Sequence, residues 1–194
     1  TRQRNGERLN LNDDFAADLY ELTQQLTNEA GLKAYEISNH TKSTMACQHN
    51  LNYWRAGDWI GIGPGAHGRF CIKSNNYDDL RRIGTETRRS PKGWLESVKK
   101  KGHGISVQTT DYANDYATEI MMMGLRLIEG VKIDSIESLC GPKDRWLNKS
   151  AMARAVTAGW LTIEKNNKKN SDTNLCTTAA GRLRLNQILS MILY

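Results

Sequence analysis

The sequence has no CxxC and no CxxxCxxC spacing. Its four cysteines, Cys47, Cys71, Cys140 and Cys176, stand 24, 69 and 36 residues apart. Such spacing offers no local set of thiolates for zinc or an iron–sulfur cluster. No apolar run approaches membrane-spanning length. Nothing resembles a signal peptide, so reduced thiols of a cytosolic chain are expected rather than disulfides of a secreted one. No internal repeat is visible. A strong charge of one sign is lacking too: 27 Lys and Arg face 21 Asp and Glu, a net charge of +6, and most of the excess lies after residue 90. So modest an excess suits solubility or an anionic ligand and does not by itself make a nucleic-acid face. The chain opens on Thr1 instead of Met, and TRQRNGERLN carries no helix or strand signal. It reads as the middle of a longer chain.

What is present begins with a capped helix. Asn12 or Asp13 can accept hydrogen bonds from free amides of a first turn. Phe15, Leu19, Leu22 and Leu26 then fall on one face, and Gly31 supplies a stop. A strand over residues 34–38 follows at once. Helix, short loop and strand make half of a βαβ unit, which implies a parallel sheet, with residues 34–38 and 59–62 as adjacent parallel strands. Glu36 would then face the inside of a sheet or barrel. It would serve a ligand site at the strand ends, near Ser38, Asn39 and His40, or pair with a buried Arg or Lys.

Residues 47–54 read CQHNLNYW and residues 61–68 read GIGPGAHG. A histidine with two aromatics close by suits a flat ligand: imidazole can ligate a metal while rings line a pocket. The same residues also suit a histidine that caps a turn beside core aromatics. The loop matches G-x-G-x-x-G formally. RFCIKSNNYDD is a poor helix start, however, and Pro64 removes an amide donor, so a dinucleotide site is not expected. A glycine-rich turn that a ligand can approach closely remains.

Residues 75–89 are polar and basic and are expected as a linker or surface hairpin. Short helices follow Pro91 and Thr110, and the second carries a wide apolar stripe that makes Met121, Met122 and Met123 core residues rather than a soft metal site. Two further helices, a strand over 160–163, a polar tip over 166–174, a returning strand at 175–176 and a last helix complete the chain. That order resembles a winged helix, a topology that often reads DNA and also serves as a docking module.

With YEISN, HNLNYW and GIGPGAHG in close succession, the chain resembles the oxygen-independent coproporphyrinogen III oxidase-like family of radical S-adenosylmethionine (radical SAM) proteins. It is most similar to the HemW branch, the heme-chaperone-like members. EIMMMGLRLIEGV, the Gly-Trp-Leu strand and TTAAGRLRLNQIL extend the likeness from the helix at residue 13 to the end. The resemblance implies an α/β plus α fold: the C-terminal strands of a partial (β/α) radical SAM barrel over residues 1–88, then a helical, winged-helix-like domain with a small hairpin over residues 89–194. It implies an upstream CxxxCxxC that holds a [4Fe–4S] cluster and is absent here, so the chain alone is expected to be inactive as a radical SAM enzyme.

The same resemblance places heme at His49, Asn50, Tyr53 and Trp54, with His49 toward the iron. It places S-adenosylmethionine near Gly61, Ile62 and Gly63, with Glu36 as a further cofactor-binding candidate. The function it implies is heme binding and delivery in the cytoplasm, with a heme-acceptor protein as partner. The alternatives are a coproporphyrinogen III oxidase that decarboxylates two propionates to give protoporphyrinogen IX, and a winged-helix nucleic-acid module. Nucleic acid is not the expected partner.

Overall fold

A computed structural model describes residues 12–42, 45–165 and 173–194, without the side chain of Lys165. The polar tip expected over 166–174 lies mostly outside the described residues. The chain forms two compact units, one ending at Ala46 and one running from Cys47 to Tyr194.

In the first unit, α1 (Asp13–Glu29) starts where its cap predicts, with the Asn12 side chain accepting from the Phe15 amide at 2.7 Å. None of its residues is buried, and Phe15, Leu19, Leu22 and Leu26 face outward. The strand expected at 34–38 is a correction. Only Lys33–Ala34 (β1) is extended, and it pairs antiparallel with His40–Thr41 (β2). The cause is local. Glu36 Oε1 accepts from the Ser38 amide, the Ser38 hydroxyl and the Asn39 side chain. The Tyr35 amide donates to Asn39 O at 3.1 Å. A carboxylate that satisfies three donors two and three residues ahead closes a turn, and the chain cannot stay extended through it.

The second unit holds two three-stranded sheets. α2 (Gln48–Trp54) leads into a loop whose Trp59 makes a single antiparallel bridge to Arg69. Residues 59–62 are thus not a parallel partner of 34–38, and every strand pairing among the described residues is antiparallel. β3 (His67–Ile72), β4 (Arg81–Thr87) and β5 (Ile105–Asp111) form the first sheet, in the order β3-β4-β5. β4 is the second correction, because residues 75–89 were expected as a linker or surface hairpin. Ile83, Thr85 and Thr87 alternate with Arg82, Gly84 and Glu86, a period of two that suits a strand. The helix α3 (Pro91–Lys101) joins β4 to β5, so these paired strands lie on either side of residue 88.

α4 (Ala113–Gly124) buries much of the apolar stripe read from its sequence, including Tyr116, Ala117 and Met121, but of the three methionines expected in the core Met122 is exposed and Met123 half-buried. β6 (Val131–Lys132), α5 (Ile133–Cys140), α6 (Lys149–Thr157), β7 (Leu161–Lys165) and β8 (Thr173–Thr177) follow. Their sheet has the order β6-β8-β7, the arrangement of a winged helix. Thr178 caps α7 (Ala179–Arg182), and α8 (Leu185–Ile192) buries Leu185, Ile188, Leu189 and Ile192. Trp146 fills the core beneath, with its indole N–H donating to Gly141 O at 3.2 Å.

Burial also fixes a pH response. The Cys140 and Tyr116 side chains are each pushed up to about 12, and Cys176 to about 11, all chiefly because burial disfavours their anions. Above about pH 9 the unfolded chain gives up these protons while the folded chain keeps them. The unfolded state then binds fewer protons, so stability falls as pH rises from about 9 toward 12. Urea midpoints measured across that range should drop steadily. A midpoint that is flat to pH 11 contradicts the assignment.

Candidate functional site

α2 carries the HNxxYW residues. His49 and Tyr53 are one turn apart and share a face. Their rings meet edge to face at 4.6 Å, and the Tyr53 hydroxyl lies 3.2 Å from His49 Nε2. Trp59 extends the set, with its ring 4.4 Å from Tyr53 in the same edge-on manner. The His49 side chain is exposed, and Tyr53 and Trp59 are half-buried. Trp54 follows Tyr53 and is turned roughly 100° around the helix. It lines a separate cleft, and the Arg126 guanidinium stacks 5.3 Å above its ring. The six-residue box therefore splits: His49 and Tyr53 look toward Trp59, and Trp54 looks toward α4 and β6. Asn50 is half-buried between them in sequence.

What fixes Trp59 is Arg82, which sequence reading left in a linker or surface hairpin. Arg82 is fully buried. Its Nη1 donates to Asp58 Oδ1 at 2.6 Å, and its Nη2 to Ala56 O, Gly57 O and Glu119 Oε1 at 3.0, 2.9 and 3.2 Å. Tyr116 supports the guanidinium from below, 4.7 Å from its ring, and donates its own hydroxyl to Ala56 O. The short loop between α2 and Trp59 is thus gripped by one cation from β4 and one phenol from α4. Ala56 accepts a positive φ of 48° there, a conformation that costs a residue with a Cβ. Arg69 bonds Glu119 as well and lies 3.1 Å from Asp111. The alternation of residues 81–87 was the available signal for Arg82. Nothing local shows that Glu119 is its partner.

The glycine-rich loop is held by the buried Thr87. Its hydroxyl donates to Gly63 O at 2.5 Å and accepts from the Ala66 amide at 2.9 Å. Gly61 packs directly on the His67 backbone, so the fold itself uses its missing Cβ. Gly63 differs: its φ is +103°, and a Cβ there would meet nothing. Ile60 and Ile62 are 80% and 86% exposed, which makes residues 60–63 an open, apolar backbone edge. In the first unit, Glu36 is fully buried, and its Oε2 has no partner.

Residue by residue, the chain suits some of the expected groups and not others. An exposed imidazole beside two rings suits an axial ligand of heme iron. The open edge at Gly63 and the unpartnered oxygen of Glu36 each suit a polar cofactor. The cysteines do not suit a cluster: Cys47 is exposed, Cys71 half-buried, and Cys140 and Cys176 buried. Among the described residues no three His, Cys, Asp or Glu side chains gather as a metal site.

No family model matches the chain. It is 33% identical over 184 residues to the protein named heme chaperone HemW of Escherichia coli, covering 93% of this chain and 43% of that protein. It is 34% identical over 119 residues to the mitochondrial radical S-adenosyl methionine domain-containing protein 1 of Danio rerio, covering 61% of this chain and 26% of that protein. Among solved structures it is similar to the coproporphyrinogen III oxidase HemN of Escherichia coli, a radical SAM enzyme, with a TM-score of 0.58 and 12% identity over 90% of this chain and 40% of that one. The chain spans less than half the length of these relatives.

Proposed function

The chain belongs to the HemN/HemW-like radical SAM family, related to porphyrin and heme, and covers its C-terminal region; on that premise we propose that it binds heme through α2 and takes part in delivering it. The observation that carries the proposal is the exposed His49 imidazole on one face with Tyr53 and Trp59. His49 is the residue proposed to meet the iron, since neutral imidazole is a good axial ligand. Its Nε2 is held by the Tyr53 hydroxyl, so an iron at that nitrogen must displace the phenol, which is then free to donate elsewhere. Tyr53 and Trp59 offer ring surface to a porphyrin. Trp54 faces another way, and its assignment to the heme site is the weakest part of the expected set.

S-adenosylmethionine and a [4Fe–4S] cluster belong to full-length radical SAM proteins of this family. For this chain, residues 61–63 are proposed to meet the former, and Glu36 is kept as a separate cofactor-binding candidate within the first unit. No step through the cluster follows from its cysteines. Heme carriage is preferred to coproporphyrinogen oxidation because it is the HNxxYW box that presents the accessible imidazole. The nucleic-acid reading loses support at α6. A recognition helix should offer several exposed Arg or Lys, but the sequence over 145–158 has only Arg145, Lys149 and Arg154. Arg145 lies before α6 and pairs with Asp78 at 2.7 Å, and Lys149 pairs with Asp144 at 2.6 Å. A salt-sensitive duplex binder makes roughly 6–10 phosphate contacts. Among the described residues no helix is long and apolar enough to cross a membrane. The cytoplasm and a heme-acceptor protein remain parts of the proposal.

Titration of the protein with hemin tests the reading. A saturable Soret band that free imidazole shifts or displaces is the expected outcome. A spectrum indistinguishable from hemin mixed with an unrelated protein would remove the proposal. Iron–sulfur reconstitution of the 194-residue chain should yield no 5′-deoxyadenosine from S-adenosylmethionine, and its detection would show that these cysteines converge after all.

A further inference from the structure

Behind α2, and away from His49, lies a cleft of about 370 Å³ that shares only Trp54 with the heme reading. Trp54, Ile120, Leu127, Ile136 and Leu139 give it apolar walls, and Asn174 enters from β8. Its volume is at the small end of the roughly 300–1,000 Å³ typical of ligand pockets. Two of the lining side chains are unfinished. The Trp54 indole N–H is buried and has no acceptor. Asn174 donates its Nδ2 to Glu129 O at 3.2 Å, which fixes the amide orientation and leaves Oδ1 buried without a donor. Buried polar atoms of native proteins are nearly always paired, so a left-over donor and a left-over acceptor on two residues that line one cleft call for an account.

We propose that this cleft binds a small neutral ligand with an apolar body and a carboxamide. The body would fill the aliphatic walls, the carbonyl would accept from Trp54, and the amide N–H would donate to Asn174. A carboxylate fits poorly, because it brings a second acceptor to the Asn174 oxygen. On the rim Arg55 donates to Glu129 at 2.8 Å, and Lys132, which also lines the cleft, has an interaction of its own. As the side chains stand, solvent reaches neither orphaned atom, so docking requires a rotamer change at the wall, a motion side chains make rapidly.

The test is a titration with benzamide, N,N-dimethylbenzamide and benzoate, followed by the indole N–H signal of Trp54 in ¹H–¹⁵N spectra. The Trp54→Phe variant assigns that signal among the five tryptophans. Benzamide should shift it saturably and bind at least about tenfold more tightly than the other two, which lack its N–H donor. Asn174→Leu should erase that preference. Ser135 is exposed on the cleft's rim, and Ser135→Trp should block all three probes while leaving the hemin spectrum unchanged. His49→Ala should do the reverse, so failure of this proposal and failure of the heme reading can be told apart. Equal affinity for the three probes overturns the proposal. So does a Trp54 signal that benzamide leaves in place while it exchanges magnetisation with bound water, which would mean that water alone completes the wall.

Discussion

His49→Ala is expected to abolish or shift the Soret band of the hemin complex and to weaken binding at least about tenfold, a change of roughly 1.4 kcal/mol. The fold should be indifferent. His49 is exposed, and its described side-chain contacts are the ring and hydroxyl of Tyr53, one turn away on the same helix. Alanine is also the better helix former by several tenths of a kcal/mol, so the melting temperature should hold or rise slightly. A structural histidine would behave differently. Its loss would cost about 1–3 kcal/mol, as buried partners went unpaired. A variant that melts early and binds hemin unchanged would therefore end the ligand assignment. Attention would then pass to His40 and His67, although each has a partner, Gln24 Oε1 at 3.2 Å and Glu86 Oε1 at 3.8 Å. Tyr53→Phe separates two parts of the site. It frees Nε2 from the phenol but keeps the ring, so hemin should bind at least as well with a changed spectrum.

Arg82→Met should be the most destabilising single change in the second unit, at about 3–5 kcal/mol, the usual cost of removing one member of a buried ion pair. The methionine fills much of the volume, so the loss is mainly electrostatic. Three consecutive residues, Ala56, Gly57 and Asp58, lose a donor, and Glu119 keeps only Arg69 of its two cations. Against a typical total of about 5–15 kcal/mol, this could consume most of the stability. Urea unfolding should show a lower midpoint at an unchanged slope, the mark of lost stability without a changed unfolded state. Arg82→Lys keeps a charge but cannot span four acceptors, and should fall in between. A loss under about 1 kcal/mol for Arg82→Met would mean that the network is not what holds the loop. If Arg82 does hold it, the variant should also disturb the Tyr53–Trp59 stacking, and with it the hemin spectrum, although Arg82 touches neither His49 nor Tyr53 in the contacts described.

The sequence by itself determined whatever depends on residues three or four apart. Asn12, Ser90 and Thr178 cap the helices they precede, because a short side chain can reach the first-turn amides wherever the rest of the chain lies. The stripe of α4 and the succession of α4, α5, α6, β7 and β8 were legible in the sequence and give the winged-helix-like part of the family fold, whereas β6 was not read there. The i, i+4 spacing of His49 and Tyr53 puts them on one face once Gln48–Trp54 is helical, and that helix was not read from the sequence. Tertiary structure decided the rest. Residues 81–87 are polar enough to pass for a linker, and only β3 and β5 on either side, with Glu119 37 residues away, make Arg82 a core residue. Strand direction was decided the same way. A two-residue strand has no sequence signal strong enough to choose its partner, and three hydrogen bonds to Glu36 turned the chain back on itself. Trp59 was brought against Tyr53, and Trp54 was turned toward another cleft, through contacts with β3 and α4 that no spacing within the motif encodes. Local geometry follows from the covalent chain, whereas a buried charge is placed by the energy of partners that only the folded chain brings together.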